Sequence, residues 1–500
     1  MNDQEHLVHK GASLSGQCAT SASSFPVGAD LDLGVLTRAL PADVVDEVID
    51  EAGCRERRRR LLPARTVVYF VLGLCLFNAA DGFCPPGYRA VLRVLVSRWR
   101  GLRDARLVSS PALTQARTRL GVKPLQLLFD RVRGPAAGPP QPWSHAFGLR
   151  VVAWDATTIP VPDTADNAAA FGYPGISSKR QPKPGHGRGR TNGTNPNVRL
   201  MTVIECGTHA LIDGVFDGVA HASEIALAPR LIPSLRPGML LLADRNFPGY
   251  ELWGQARGSG ADLLWRAKSS HRFTPTRTLP DGSYLSLMPS RKERYRLAYH
   301  RRTGHTEPPR EGHPVRVVEF TITTTTARGS RTEQYRLVTT LLDPAIAPAA
   351  ALAALYRQRW EAETTYHNVK PRLLGADATL RSRTAQGIQQ ELYALLTIYQ
   401  LLTTLRVDAA AQAHLDPDRI SFIITLRAVR ADITSHTPRS PHRRRRDVIT
   451  EIINNPLGPR RQRTSPRQRI PRSGKYDFKR RDKPQPCLPA THRIDIQTLN

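Results

Sequence analysis

Residues 354–370 read ALYRQRWEAETTYHNVK, and the spacing of four side chains in this stretch decides how the rest of the chain is read. The run lacks Gly and Pro, and its pattern predicts one helix from 348 to about 369. Arg359 follows Tyr356 by three positions, Glu363 by seven and Lys370 by fourteen. At about 100° per residue the four project at roughly 0°, −60°, −20° and −40°, on one narrow stripe. Glu361 falls at roughly 140°, on the other side. Geometry therefore prefers Glu363 to Glu361 as the partner of Arg359 and Lys370. A surface helix laced with ion pairs is the plain alternative. Glu363 and Lys370, however, lie too far apart for the usual i,i+4 pair. An aromatic, a cation, a carboxylate and a second cation also make a poor core face. They make a good face for gripping a phosphodiester beside a metal ion.

Such a carboxylate needs partners, and two aspartates stand out upstream. GMLLLAD (238–244) is a continuous apolar run, as expected of a strand buried on both faces. Asp244 closes it, and the carboxyl end of a buried strand is where ligand sites form. LRVVAWDATTIPV (149–161) is β-branched, with Asp155 on the same side as Val151 and Ala153 by the two-residue period. Each aspartate alone is a weak signal. Strands at 198–206 and 209–218, helices at 221–235 and 249–257 and a strand at 261–268 complete a mixed α/β order. Residues 174–196, rich in Gly, Pro, Lys and Arg, read as an exposed basic loop. In 272–341 the runs YRLAYH, VRVVEFTITTTT and QYRLVTTLL, with a turn at Pro280-Asp281-Gly282, read as an antiparallel insertion. A helix over 385–406 follows. The expected division is a catalytic domain over 149–271 and 342–410, interrupted by a β insertion over 272–341.

The flanks are basic. Lys plus Arg number 72 against 43 Asp plus Glu, a formal net charge of +29 over 500 residues. That excess implies a polyanionic partner, most often nucleic acid. A GC-rich coding sequence is a second source for so much arginine, and the two do not exclude each other. Residues 1–32 are small and polar and are expected to be disordered. Helical patterns over 33–130, ending in the capped segment SSPALTQARTRLG (109–121), fit a small all-α DNA-binding module or an ordinary helical domain. A linker, 131–148, follows. The tail 435–500, with Arg443 to Arg446, is expected to be a flexible basic arm. The longest apolar run, 66–77, is too short to span a membrane, and the polar start MNDQEHLVHK does not read as a signal peptide. The six cysteines are scattered without CxxC or paired Cys/His spacing, which argues against a zinc site or a disulfide framework and for a reducing cytoplasm.

On these residues the chain resembles the DDE transposases of the insertion-sequence-four type. Their hallmark of Tyr, two residues, Arg, three residues, Glu, six residues, Lys is matched by Tyr356, Arg359, Glu363 and Lys370. The aspartates match as Asp155 in AWDATTIPV and Asp244 in LLLADRNFPGYEL, 89 residues apart, with Glu363 a further 119 on. The resemblance covers about 35–406. It implies a ribonuclease-H-like mixed-sheet catalytic core, an α/β fold with the antiparallel β insertion, preceded by the small all-α DNA-binding domain. It implies that Asp155, Asp244 and Glu363 are catalytic and hold two Mg²⁺ ions, for which Mn²⁺ substitutes. Arg359 and Lys370 would hold phosphates and Tyr356 would touch the DNA backbone. Trp360 stands where relatives carry an aromatic that acts in hairpin formation, so stacking on DNA and packing in the helix face are both open for it. The expected partner is double-stranded DNA, transposon ends and target, bound by a homodimer in a bacterial, nucleoid-associated setting. The expected function is cut-and-paste transposition: end cleavage, through a hairpin in the best-known members, then strand transfer. A magnesium nuclease on the same core and a decayed relative that only binds DNA remain alternatives.

Overall fold

The computed structural model describes residues 33–497 apart from 59, 61, 79–86, 97–107, 139–140, 175–194, 306, 327–328, 376–378, 436–439 and 459–489. The expected disordered N-terminus and nearly all of the expected basic loop lie outside the described residues.

The helical part begins with α1 (Ala42–Glu51), α2 (Ala64–Leu76), α3 (Tyr88–Val96), α4 (Ser110–Leu120) and α5 (Lys123–Val132). The apolar sequence of α2 is explained by its position, since nearly every residue in it is buried. In α4 the Ser109 hydroxyl accepts from the Ala112 amide, and Gly121 ends the helix at φ +72°, a conformation that favours glycine. The sheet region follows with β1 (His145–Ala146), β2 (Leu149–Pro160), α6 (Ala165–Phe171), β3 (Asn197–Glu205), β4 (Leu211–Gly218), α7 (Glu224–Leu231), β5 (Met239–Ala243), α8 (Tyr250–Gly258) and β6 (Asp262–Arg266). Next come β7 (Arg277–Thr278), β8 (Tyr284–Pro289), α9 (Arg291–Arg302), β9 (Gly312–Thr326) and β10 (Gly329–Thr339). The chain closes with α10 (Ala349–Leu355), α11 (Glu361–His367), α12 (Ala385–Gln412), α13 (Phe422–Thr434), α14 (Pro441–Ile453) and β11 (Ala490–Ile496).

The strands form one sheet in the order β4-β3-β2-β5-β6-β10-β9-β8-β7, with β1 on β2 and β11 on β9. β2, β5 and β6 are mutually parallel, whereas β3 pairs antiparallel with both β2 and β4. These five strands are the ribonuclease-H-like core. The antiparallel insertion extends the same sheet, because β10 pairs directly with β6. Alternation sorts the side chains between two layers. Val151 and Ala153 of β2, with Leu240 and Leu242 of β5, enter the larger core, which includes residues of α2, α5 and α10 to α12. Val152, Trp154, Leu241 and Ala243 enter a second core beneath α7 and α8, where Trp154, Trp253 and Trp265 cluster. Asp155 and Asp244 continue the first series, so both point toward the layer that holds α11.

Three local readings change. YRLAYH is not a strand: it lies inside α9, whose N-cap is Ser290, its hydroxyl accepting from the Glu293 amide. The helix expected over 348–369 is not regular. It passes from α10 through a 3₁₀ turn (Tyr356–Trp360) into α11 and then a wide π turn (Asn368–Leu374). Pro371 has no N–H to return to the preceding turn, which fits the widening there. The basic tail is not wholly a free arm. α14 buries Val448, Ile449 and Ile452, with Ser440 capping it, and Arg444 and Arg445 pair with Asp432 and Asp408. β11 adds a strand beside β9.

Candidate active site

β2 and β5 deliver two aspartates to one side of the sheet, and the irregular α10–α11 segment brings the third acid over them. Asp155 keeps 22% of its side-chain exposure, and Glu363 keeps 23%. Between them sits Arg359, only 9% exposed. Its Nη1 lies 3.4 Å from Asp155 Oδ2 and its Nη2 lies 3.9 Å from Glu363 Oε1. Burial works against the Arg359 charge. Tyr356, Asp155, Asp244 and Glu363 nevertheless hold its pKa above the ordinary arginine value. Burial pushes Asp155 up to about 6; Arg359 and the Ala156 amide oppose that rise, while Glu224 and Asp244 add to it. An ionised Asp155 is thus short of positive charge.

The other stripe residues meet the strands that carry the aspartates. The buried Tyr356 hydroxyl donates to the carbonyl of Ala243, the residue before Asp244, at 3.2 Å. Lys370 Nζ donates to the Thr158 carbonyl at 2.8 Å and reaches Thr157 Oγ1 at 3.3 Å, both on β2. Burial lowers the Lys370 pKa. Trp360 is 40% exposed. The stripe geometry survives the 3₁₀ and π turns because Tyr356, Arg359 and Lys370 are each anchored to β2 or β5.

Glu361 goes elsewhere. It is buried, and its Oε2 lies 2.9 Å from His209 Nε2, with Asp418 Oδ1 3.5 Å from the same nitrogen. These three are the only His/Cys/Asp/Glu group with metal-ligand spacing found among the described residues, and none of the three stripe-side acids belongs to it. Sequence reasoning missed Tyr366 as well. Its hydroxyl donates to the carbonyl of Asp155 and lies 3.0 Å from Thr202 Oγ1, so it braces the strand at the aspartate. An aromatic three residues beyond Glu363, on the same helical side, was the available signal. Glu224, which raises Asp155, had none: it opens α7 and meets Asp155 only through the fold.

A family model for the transposase DDE domain matches residues 146–401, and one for the insertion element 4 transposase N-terminal region matches residues 30–130. This chain belongs to the insertion-sequence-four family of DDE transposases. It is similar to the transposase InsG for insertion sequence element IS4 of Escherichia coli (strain K12), at 26% identity over 77% of this chain and 79% of that one. It is also similar to a putative transposase InsZ of the same strain, at 24% identity over 45% of this chain and 68% of that one. The DDE-domain match includes Asp155, Asp244, the whole stripe and the β insertion. No helix among the described residues is long and apolar enough to cross a membrane.

Proposed function

We propose that this transposase moves an insertion sequence by cut-and-paste, with Asp155, Asp244 and Glu363 holding two Mg²⁺ ions at the cleavage site. One observation carries the reading: Asp155 and Glu363 flank a single buried guanidinium, Arg359, whose charge Asp244 also supports electrostatically. The donor set fits a hard divalent ion, since it is all oxygen and includes an aspartate whose charge burial leaves undercompensated. Mn²⁺, with similar ligand preferences, substitutes. Asp155, Asp244 and Glu363 would hold such ions, which when bound would supply activation of an attacking oxygen and charge stabilisation for a leaving one.

The protein's own part is positioning. Tyr366 and Lys370 fix the backbone of β2 at Asp155 and just beyond it, and Tyr356 fixes the end of β5 at Asp244. Arg359, placed among the acids, supplies positive charge to them and to the scissile phosphate. Lys370, half-buried beside β2, lies nearer the surface where the DNA backbone would pass, whereas Tyr356 is buried and serves the end of β5. Trp360, exposed beside them, stacks on an unpaired base when the end forms a hairpin. The helices of α1 to α5 bind the transposon end, two copies act on paired ends, and the setting is the bacterial nucleoid.

The test is Mg²⁺-dependent nicking and strand transfer on the DNA ends that flank the coding sequence. Asp155→Ala, Asp244→Ala and Glu363→Ala each reduce cleavage to background with end binding retained, while Glu361→Gln cleaves. Full cleavage by Glu363→Ala overturns the assignment. Cleavage without joining of the 3′ end assigns a nuclease instead.

A further inference from the structure

We propose that the outward face of α9 is a second DNA-binding surface, one that grips duplex phosphates away from the cleavage site. The proposal rests on the transposase reading above and extends it to a part of the insertion that this reading leaves without a role. α9 spells RKERYRLAYHRR. Its exposed side carries Arg291, Lys292, Arg294, Arg301 and Arg302 around Tyr295 and Tyr299. At about 100° per residue, Arg291, Tyr295, Ala298 and Arg302 fall within roughly 60° of one another, with Lys292 and Tyr299 on one flank and Arg294 and Arg301 on the other.

No carboxylate of the helix reaches that face. Glu293 is buried and bonded to Arg296, and Glu307 of the following loop pairs with Arg296 and Arg310. Both tyrosines are displayed to solvent, at 66% and 60% exposure, and Arg291 lies 5.9 Å above the Tyr295 ring. Two aromatics left more than half exposed within a cluster of five cations bury little surface in the fold. They match a sugar–phosphate backbone, which takes bidentate arginine contacts and packs its sugars on rings. Ala298, small and central, lets a backbone approach the helix axis.

Strand register fixes where this surface lies. Ala243, Trp265, Val338, Val317 and Tyr284 form one row across the sheet. From Tyr284, β8 runs away from the Asp244 end to Pro289, about 17 Å at roughly 3.3–3.4 Å per residue. Four strand spacings separate β5 from β8, about 19 Å. α9 therefore begins about 25 Å from the carboxylates. At about 3.4 Å per base pair, that is roughly seven base pairs of duplex. The surface grips DNA beside the reaction, not the scissile phosphate.

The experiment measures the affinity of the full-length chain for a random-sequence duplex of about 40 base pairs across a salt series. Arg291→Ala combined with Arg302→Ala lowers the slope of log K against log salt by about two and weakens binding uniformly across sequences. Tyr295→Ala combined with Tyr299→Ala weakens binding and leaves the slope unchanged. An unchanged slope and affinity in the arginine pair, with the wild type binding normally, overturns this surface alone. A wild type that binds no duplex fails the transposase reading itself. Retained DNA affinity with lost binding to an RNA hairpin or to polyglutamate assigns the face to another partner and overturns the proposal.

Discussion

Replacing Asp155 by Asn should make the metal-free protein more stable while abolishing its chemistry. The folded environment raises the Asp155 pKa from 3.8 to about 6, with burial the main cause. The folded state therefore binds this proton more tightly than the unfolded state does. The stability it contributes is fully present below about pH 3.8 and is lost as pH rises through about 6. Two units, at about 1.36 kcal/mol each, make the penalty of the ionised group roughly 3 kcal/mol at neutral pH. Asn keeps the shape and removes the charge, and Arg359 retains Asp244 and Glu363 as counter-charges. In EDTA at pH 7.5, thermal unfolding of Asp155→Asn should occur about 3–6 °C above the wild type. The gap should narrow toward zero as pH falls from 6 to 4. Adding Mg²⁺ should raise the wild type, by about 2.7 kcal/mol at a hundred times Kd, and leave the variant nearly unmoved. An Asn variant that melts below the wild type in EDTA, or a gap independent of pH, refutes the reasoning. The first result would mean that the Arg359 pairing outweighs burial, and the second that the two cancel.

Three further outcomes are expected. Tyr366→Phe removes the hydroxyl that bridges the Asp155 carbonyl and Thr202, costing about 1 kcal/mol in denaturant unfolding and lowering Mg²⁺ affinity more than DNA affinity. Arg117→Ala breaks a buried set of contacts from α4 to Gln390, Ser382 and Glu391 on and beside α12. Leaving Glu391 buried without its cation should cost about 3–5 kcal/mol, read by urea denaturation. Ile452→Ala in α14 should cost about 2–4 kcal/mol, whereas a free basic arm would lose nothing.

What could be read from the sequence followed from periodicity, and what could not followed from its failure. The run MLLLA has one explanation, a strand buried on both faces, and β5 is that strand. The stripe at 356, 359, 363 and 370 was legible because an α-helix converts spacing into direction, and a 3₁₀ turn and a π turn on either side of α11 largely cancel in angle. YRLAYH shows the opposite case. Its tyrosines and leucine alternate closely enough to mimic a strand, and the deciding signal lay outside the run, in the Ser290 N-cap. Counting arginines in the tail suggested an arm without a core, but Val448, Ile449 and Ile452 recur at helical spacing and find a core elsewhere in the chain.

The choice between Glu361 and Glu363 shows how much of the site a sequence can carry. Both are glutamates on one short helix, two positions apart, and composition cannot rank them. The helical angle separates them by roughly 160°, and the structure uses both sides. One carries Glu363 toward Asp155 and Arg359; the other buries Glu361 against His209, with Asp418 beyond. The second contact helps set the first. Glu361 anchors α11 from behind through His209, which follows β3 and is itself 3.5 Å from Asp418, in the turn before α13. The orientation of Glu363 therefore depends on side chains that stand far from it along the chain, one upstream and one downstream. Those partners obey no local period, which is why direction was legible in 354–370 and support was not.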